Sequence, residues 1–127
     1  MKYRPLPNRI NIILSRQDIS KELSKEEAKS QNIFIASSLS DANEVISSLS
    51  NVYKTFVIGG EEVYKSTLEM NYVSQILLTR VHLPDKEKLS FDSFFPQIDE
   101  KWTYNIIDEG TDHLSNINFE FLSFHRK

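Results

Sequence analysis

The sequence predicts an α/β fold with a mostly parallel central sheet, flanking helices and a C-terminal antiparallel hairpin. Over the first two thirds, short apolar runs typical of buried strands alternate with stretches whose apolar residues recur at helical spacing. The last third contains two long runs of alternating pattern instead, which favours an antiparallel pair. A length of 127 residues fits one domain with one core, so we expect a single domain over residues 1–127.

The first predicted strand spans residues 9–14, which include three isoleucines and a leucine. This run is apolar enough to be buried on both faces, as in a parallel sheet. Pro5 and Pro7 force an extended path before it, as in a segment that arrives from elsewhere in a larger fold. Residues 17–31 are polar with mixed charge, which is typical of a solvated loop or a marginal surface helix.

A second short strand is predicted over Ile33–Ile35. The sequence Ser-Leu-Ser-Asp at 38–41 then resembles a capping box, and it opens a helix whose apolar residues repeat at helical spacing as far as Leu49. The order up to this point is strand, loop, strand and helix, which matches the alternation expected of a parallel sheet.

The next predicted strand, Thr55–Ile58, consists of β-branched and aromatic residues and should be buried. It stops at Gly59 and Gly60, two of the three glycines in the chain. Glu61 then opens a helical pattern that runs to about Met70. A glycine pair before a helix start lets backbone approach an anionic ligand closely. A tight packing turn would have the same sequence, so both interpretations stay open at this point.

The remaining elements are a strand over Gln75–His82, a polar loop over Leu83–Ser90 and the terminal hairpin. The hairpin strands are predicted over Trp102–Ile107 and Asn118–His125, with a turn near Gly110.

Three strands of this scheme end in residues suited to ligand binding: Ser15-Arg16, Ser37-Ser38 and Gly59-Gly60. Ligands of open α/β sheets bind beyond the carboxyl ends of the strands. The guanidinium of Arg16 and the hydroxyl of Ser15 suit a phosphate, such as the 2′-phosphate of a dinucleotide. The alternative for Arg16 is a solvated charge at a strand end.

Composition excludes several classes of function. The net charge of −3 and the lack of a basic tract argue against nucleic acid as a partner. No apolar run is long enough to span a membrane and no secretory signal is evident, so a cytoplasmic protein without a membrane partner is expected. There is no cysteine, and no histidine pair has metal-ligand spacing, so no metal site is expected. The residues also contain no convincing acid pair or nucleophile elbow.

Ordered motifs along the whole chain resemble those of dihydrofolate reductases, closest to the eukaryotic, fungal-like branch. The segment Arg4–Arg16 is similar to the part of that family that precedes and forms its third strand. Val57–Tyr64 resembles the family's glycine-pair turn and the helix after it. Leu78–Arg80, Asp92–Pro96 and the closing run from Phe119 resemble later family signatures in the right order.

The resemblance implies NADPH-dependent reduction of 7,8-dihydrofolate to tetrahydrofolate in folate and one-carbon metabolism. It assigns substrate contacts to four residues: Leu6 at the benzoyl ring, Arg9 at the glutamate α-carboxylate, Ile58 through its carbonyl at the pteridine, and Tyr64 near the hydride-transfer centre. It assigns NADPH contacts to Ser15, Arg16, Ser37, Gly59, Gly60, Glu61, Glu62, Val63 and Tyr64. It also implies that Thr79 supports the catalytic acid through hydrogen bonds.

Two residues depart from the family pattern. Glu61 stands where glycine or serine is more usual, which puts a carboxylate near the cofactor pyrophosphate. Ser37 stands where an arginine often covers the adenine, so we expect that contact to be weaker in this chain.

The resemblance lacks the family's first segment, roughly 50–60 residues by the usual size of such a domain. That segment holds the first two strands, the loop over the nicotinamide and the catalytic acid, so no catalytic residue is assigned to this chain. We therefore expect a truncated chain whose acid comes from a lost N-terminal segment or a complementing N-terminal fragment. The alternative is a non-catalytic remnant that acts as a binding or interaction module.

Overall fold

A computed structural model describes residues 5–16, 32–84 and 89–127 of the chain. Two compact units make up the structure, Met1–Phe56 and Val57–Lys127. The polar stretch predicted over 17–31 lies outside the described residues, as does the first part of the motif that begins at Arg4. The single domain over residues 1–127 stays a prediction.

The first unit contains a parallel pair of strands and one helix. Strand β1 (Asn11–Leu14) lies beside β2 (Ile33–Ala36), with Asn11 opposite Ile33 and Leu14 opposite Ala36. Helix α1 (Leu39–Ser48) follows directly. The predicted strands and helix are confirmed here, although the first strand starts at Asn11 rather than Arg9 because residues 7–9 form a turn.

Helix α1 begins where its sequence predicts. The hydroxyl of Ser38 accepts a hydrogen bond from the Asp41 amide at 3.1 Å, which satisfies one of the donors that a helix start leaves unpaired. Ala42 in the first turn is buried, together with Ile33 and Ala36 of β2. These three are the buried apolar side chains among the described residues of the first unit.

The second unit contains helix α2 (Glu61–Glu69) and strands β3 (Gln75–His82), β4 (Trp102–Asp112) and β5 (Ile117–Arg126). The strands form an antiparallel sheet in the order β3-β5-β4. Central strand β5 supplies the best-buried side chain, Leu122, which pairs with Leu78 on one side and Ile106 on the other. The predicted helix and the three strands are confirmed in type, although β4 continues five residues beyond its predicted end at Ile107.

The predicted hairpin turn at Gly110 is wrong by several residues. Gly110 lies within β4, and the turn comes after Asp112, whose carboxylate accepts a hydrogen bond from the Ser115 amide at 3.1 Å. Asn116 completes the turn with a φ of 59°, a conformation that asparagine tolerates better than most residues. Glycine is required at 110 for another reason, because an added Cβ would lie 2.8 Å from the Phe119 ring on β5.

The predicted strand Thr55–Ile58 is absent from the structure. These residues have no strand conformation, and within the described residues their backbone makes no hydrogen bond to another backbone group. Phe56 is 65% exposed and Ile58 is 73% exposed. The segment has the residue types that favour a strand, but a strand also needs a neighbouring strand. Neither described sheet supplies one for this segment.

This absence also changes the predicted sheet. The described strands form a two-stranded parallel sheet and a three-stranded antiparallel sheet, instead of one mostly parallel sheet. The α/β class holds, with two described helices and both kinds of strand pairing. Within the described residues, no helix is both long enough and apolar enough to cross a membrane.

Candidate functional site

A turn organised by Asn11 carries two of the predicted substrate residues. The Asn11 side-chain amide donates to the carbonyls of Leu6 and Arg9, each at 3.1 Å, and its oxygen accepts from the Leu6 amide at 2.9 Å. Asn8 within the turn has a φ of 60°. One side chain therefore holds Leu6 and Arg9 in the same turn, with both of their side chains exposed.

Sequence reasoning missed the role of Asn11, because that residue was counted as part of an apolar strand. A signal was present: asparagine side chains hydrogen-bond nearby backbone in turns, and this one follows two prolines and Asn8.

The carboxyl ends of β1 and β2 bring together three predicted cofactor residues. The Ser15 amide donates to the Ala36 carbonyl at 2.9 Å, which continues the parallel pairing past the end of β1. Ser15 and Arg16 therefore lie beside Ser37 at one edge of the pair, and Arg16 is exposed. The convergence predicted for these two strand ends is confirmed within the first unit.

Ser37 is engaged by its own helix. Its hydroxyl donates to the Asp41 carboxylate, the same residue whose amide bonds to Ser38. The carboxylate adds negative charge at this edge, which opposes a phosphate and leaves Arg16 as the cation that can attract one.

The glycine turn opens helix α2 in the second unit. Gly59 has a φ of 114°, which favours glycine, and the Gly59–Gly60 peptide bond is cis. Gly60 is the N-cap of α2 and provides no side-chain hydrogen bond to the helix start. A Cβ built on Gly60 would meet no heavy atom within 4 Å. Backbone at Gly60 is therefore open to a ligand.

The start of α2 has donors for an anion and two charges that oppose one. The amides of Glu61, Glu62 and Val63 belong to the first turn, where N–H groups lack intrahelical acceptors. These donors and the helix dipole favour a phosphate. Glu61 and Glu62 are both exposed, so their side chains can extend into solvent and reduce the repulsion.

Tyr64 lies against this turn. A Cβ built on Gly59 would be 3.4 Å from the Tyr64 hydroxyl oxygen, so the Tyr64 ring occupies the space beside Gly59. The same ring packs against Phe95 with centroids 4.9 Å apart and planes tilted by 54°. Buried Thr67 donates its hydroxyl to the Tyr64 carbonyl at 3.0 Å and to the Val63 carbonyl at 2.8 Å. The described contacts therefore hold Tyr64 through both its ring and its backbone.

Thr79 is an exposed residue of β3, opposite Phe121 of β5. Its neighbour Arg80 pairs with Glu120 on the other face, where Arg80 Nε lies 3.0 Å and His82 Nε2 lies 2.5 Å from Glu120 Oε1. Hydrogen bonds from Arg80, and then from His82, lower the pKa of the Glu120 carboxyl.

Sequence reasoning assigned no role to His82 and missed this cluster. Arg80 and His82 are two residues apart in a predicted strand, which puts them on one face, and that spacing was the available signal.

A cavity of about 750 Å³ lies within the second unit, between α2, residues 94–99 and the ends of β4 and β5. Of the predicted site residues it includes only Glu61 among those that the structure describes. The glycine turn, in contrast, combines backbone donors with open space.

The described residues contain no group of three or more histidine, cysteine, aspartate or glutamate side chains that could hold a metal ion. The predicted site residues are grouped as a turn at 6–11, an edge at 15–16 and 37, the glycine turn at 59–64, and Thr79. Each group is defined by contacts within its own unit.

Comparison with known proteins identifies a matching family and relatives that cover about four fifths of the chain. The family described as "Dihydrofolate reductase" matches residues 1–126. The dihydrofolate reductase of Candida albicans is 36% identical over 102 residues, which cover 80% of this chain and 48% of that protein. The dihydrofolate reductase of Bos taurus is 38% identical over 101 residues, with 77% and 48% covered.

A third relative joins two named activities in one chain. The bifunctional dihydrofolate reductase-thymidylate synthase of Plasmodium chabaudi is 38% identical over 99 residues, which cover 78% of this chain and 16% of that protein. Our chain spans about half the length of the Candida albicans and Bos taurus relatives that it matches.

Proposed function

The chain belongs to the dihydrofolate reductase family, and from that premise we propose that it takes part in the NADPH-dependent reduction of 7,8-dihydrofolate to tetrahydrofolate. The observation that carries this proposal is the family match over residues 1–126, which includes the glycine turn at the start of α2. Bound NADPH supplies a hydride to C6 of dihydrofolate, while N5 receives a proton. The residues of this chain bind and orient the two molecules.

Arg16 and Ser15 are proposed to bind the 2′-phosphate end of NADPH. An exposed guanidinium at the carboxyl end of a parallel strand suits a phosphate, because its N–H groups can donate in pairs to the oxygens. Ser37, whose hydroxyl is bonded to Asp41, is proposed to contribute only weakly beside the adenine.

The glycine turn is proposed to lie along the nicotinamide and the pyrophosphate. Open space at Gly60 allows close approach of a ligand, and the amides of Glu61, Glu62 and Val63, which lack intrahelical acceptors, face the phosphates in this proposal. The Tyr64 amide, which the resemblance also assigns to NADPH, instead donates to the Gly60 carbonyl at 3.0 Å and fixes the first turn of the helix. The exposed carboxylates of Glu61 and Glu62 lower affinity by repulsion and leave the backbone donors in place.

Substrate contacts are proposed at the Asn11 turn and at the glycine turn, each described within its own unit. Arg9 pairs with the α-carboxylate of the glutamate tail, and Leu6 packs against the benzoyl ring. The Asn11 turn supports this pairing of roles because it fixes the two residues in one loop. Ile58 offers its carbonyl to the pteridine, and Tyr64 lies near the hydride-transfer centre.

No catalytic acid is assigned among the described residues, and we propose that a complementing N-terminal fragment supplies it with support from Thr79. The unpaired segment Thr55–Ile58 favours this idea, since its composition suits a strand and it has no neighbour within the described residues. A fragment that brings strands would give this segment a neighbour and deliver the acid.

Arg9 and Arg16 of the first unit provide a matched experiment. Replacing Arg16 by alanine should weaken the binding of NADPH far more than that of NADH, because only NADPH carries the 2′-phosphate. Replacing Arg9 by alanine should weaken the binding of folate. The binding of pteroate, which lacks the glutamate tail, should be unchanged. Binding is measured by quenching of the single tryptophan, Trp102. Equal losses for NADPH and NADH in Arg16→Ala would overturn the assignment.

Turnover tests the activity itself. The full chain is assayed for NADPH oxidation with dihydrofolate, alone and after co-refolding with the N-terminal segment of the Candida albicans dihydrofolate reductase. We expect turnover only in the mixture. A mixture that binds NADPH and dihydrofolate without oxidation would contradict the proposed reaction and favour a binding module.

A further inference from the structure

We propose that Phe95 is a positioning residue for the Gly59–Gly60 turn and acts through the Tyr64 ring. The expected effect of Phe95 on NADPH binding rests on the proposed function. The effect of Phe95 on the conformation of the turn does not. The proposal concerns contacts within the second unit only.

The first step is the contact between Tyr64 and the turn. A Cβ on Gly59 would lie 3.4 Å from the hydroxyl oxygen of Tyr64 and 3.5 Å from its Cε2 and Cζ atoms. These are ordinary van der Waals distances, so the ring edge lies directly beside the space that a Cβ at 59 would take. The Tyr64 ring therefore limits the paths that the backbone can take at Gly59.

The second step is what keeps the ring there. The Tyr64 amide donates a hydrogen bond to the Gly60 carbonyl, and the Tyr64 carbonyl accepts one from the Thr67 hydroxyl. Neither hydrogen bond fixes the side-chain torsions of Tyr64. The Phe95 ring, 4.9 Å away and tilted by 54°, is the described aromatic partner of Tyr64. A tilted pair at this separation is a favoured aromatic geometry, so Phe95 selects the side-chain position that meets Gly59.

The neighbouring residues provide a built-in comparison. Phe94 is adjacent in sequence yet 61% exposed, whereas Phe95 is half-buried. Pro96 follows and restricts the backbone of Phe95 to extended conformations, which narrows the range of directions open to the Phe95 side chain. Two phenylalanines in succession therefore differ in one respect that matters here, namely contact with Tyr64.

The consequence concerns NADPH. Backbone donors bind phosphate well only when their directions are fixed, and Gly59 leads directly into the donors at the start of α2. Without the Phe95 ring, Tyr64 occupies several positions and the turn loses that restriction. Affinity for NADPH should then fall roughly two- to tenfold, the range that an aromatic pair contributes, while the folate tail at Arg9 is unaffected.

The chain has only three glycines, which makes the test simple. Glycine-selective ¹⁵N labelling gives three amide signals, and carbonyl labelling of isoleucine or glycine assigns Gly59 and Gly60 by their preceding residues. We expect Phe95→Leu to shift the Gly59 and Gly60 signals and to leave Gly110 in place. Phe94→Leu should leave all three in place, and Phe95→Tyr should restore the wild-type spectrum.

Unmoved Gly59 and Gly60 signals in Phe95→Leu would overturn the proposal, as would equal shifts in Phe94→Leu. The Gly110 signal reports whether the sheet is folded. If Phe95→Leu does not fold, Tyr64→Leu must produce the shifts at Gly59 and Gly60, and their absence would overturn the proposal.

NADPH titration of the same variants separates the two hypotheses. Weaker binding in Phe95→Leu but not in Phe94→Leu supports the role in cofactor binding, and equal affinities contradict it. A wild-type chain that does not bind NADPH alone or with the N-terminal segment would contradict the proposed function, while the glycine spectra still decide the positioning role.

Discussion

Strand β5 and the segment Thr55–Ile58 have similar composition and opposite outcomes. Both are rich in β-branched, aromatic or aliphatic residues. Strand β5 lies between β3 and β4, and its Leu122 is 1% exposed. The segment 55–58 has no described neighbour, and its Ile58 is 73% exposed. The difference lies in partners, because strand propensity measures how well a side chain fits a paired, half-buried surface.

The largest expected contrast is between core truncations in these two regions. Leu122→Ala should lower the free energy of unfolding by about 2–5 kcal/mol, because it removes buried methyl groups and leaves a cavity. Ile58→Ala should change it by less than about 0.5 kcal/mol, as for an exposed position. Urea unfolding of the full chain measures both, and a comparable loss in Ile58→Ala would mean that the segment is packed.

A smaller effect is expected at the glycine of β4. Gly110→Ala should cost about 1–3 kcal/mol by overpacking, since the new Cβ meets the Phe119 ring at 2.8 Å. Thr103→Ala is the control, an exposed position in the same strand. If the two variants unfold at the same urea concentration, the Phe119 ring moves aside easily and the close pairing of β4 with β5 is not restrictive.

The helix cap of the first unit tests local structure in the same way. Ser38→Ala should lower the free energy of unfolding by about 1 kcal/mol, because the Asp41 amide loses its acceptor. Ser40→Ala, at an exposed position inside α1, should be neutral or slightly stabilising, because alanine favours helix. Thermal unfolding followed by circular dichroism separates the two, and an unchanged midpoint in Ser38→Ala would contradict the capping role.

The smallest effect is expected from the exposed ion pair of β3 and β5. The Arg80 hydrogen bond, and then that of His82, hold the pKa of Glu120 below its ordinary value of 4.5. The charged carboxylate is therefore stabilising above pH 4.5, and this contribution is lost as pH falls through the lowered pKa. Wild type should be more stable than Glu120→Gln at neutral pH, with a difference that shrinks in acid below that value.

The matched control for this pH dependence is Glu109→Gln. Glu109 lies opposite Glu120 on β4 and makes no ion pair among the described residues. A stability difference that is constant from neutral pH to acid in Glu120→Gln would contradict the ion pair, whatever Glu109→Gln shows.

The elements that sequence predicted well are those whose signals are local. Ser38 and Asp41 define a helix start within four residues, and β5 forms the predicted antiparallel pair with β4. The end of β1 was also predictable, since parallel strands bring Ser15 and Ser37 to one edge.

What sequence did not predict depends on partners that are distant or missing. Thr55–Ile58 reads as a strand, but no pattern within the segment shows whether a neighbour exists. Gly110 reads as a turn residue, whereas its role is to accommodate Phe119 on the next strand. The contact of Phe95 with Tyr64 joins positions 31 residues apart, which no spacing rule connects.

The most direct test of this account is amide hydrogen exchange at Thr55–Ile58. In the chain alone, we expect these amides to exchange at rates close to those of unprotected backbone, while the amides of Leu122 and Ser123 are protected. Adding the N-terminal segment of the Candida albicans dihydrofolate reductase with NADPH should protect the amides of Thr55–Ile58. Amides at 55–58 that are as protected as those of β5 in the chain alone would contradict the account.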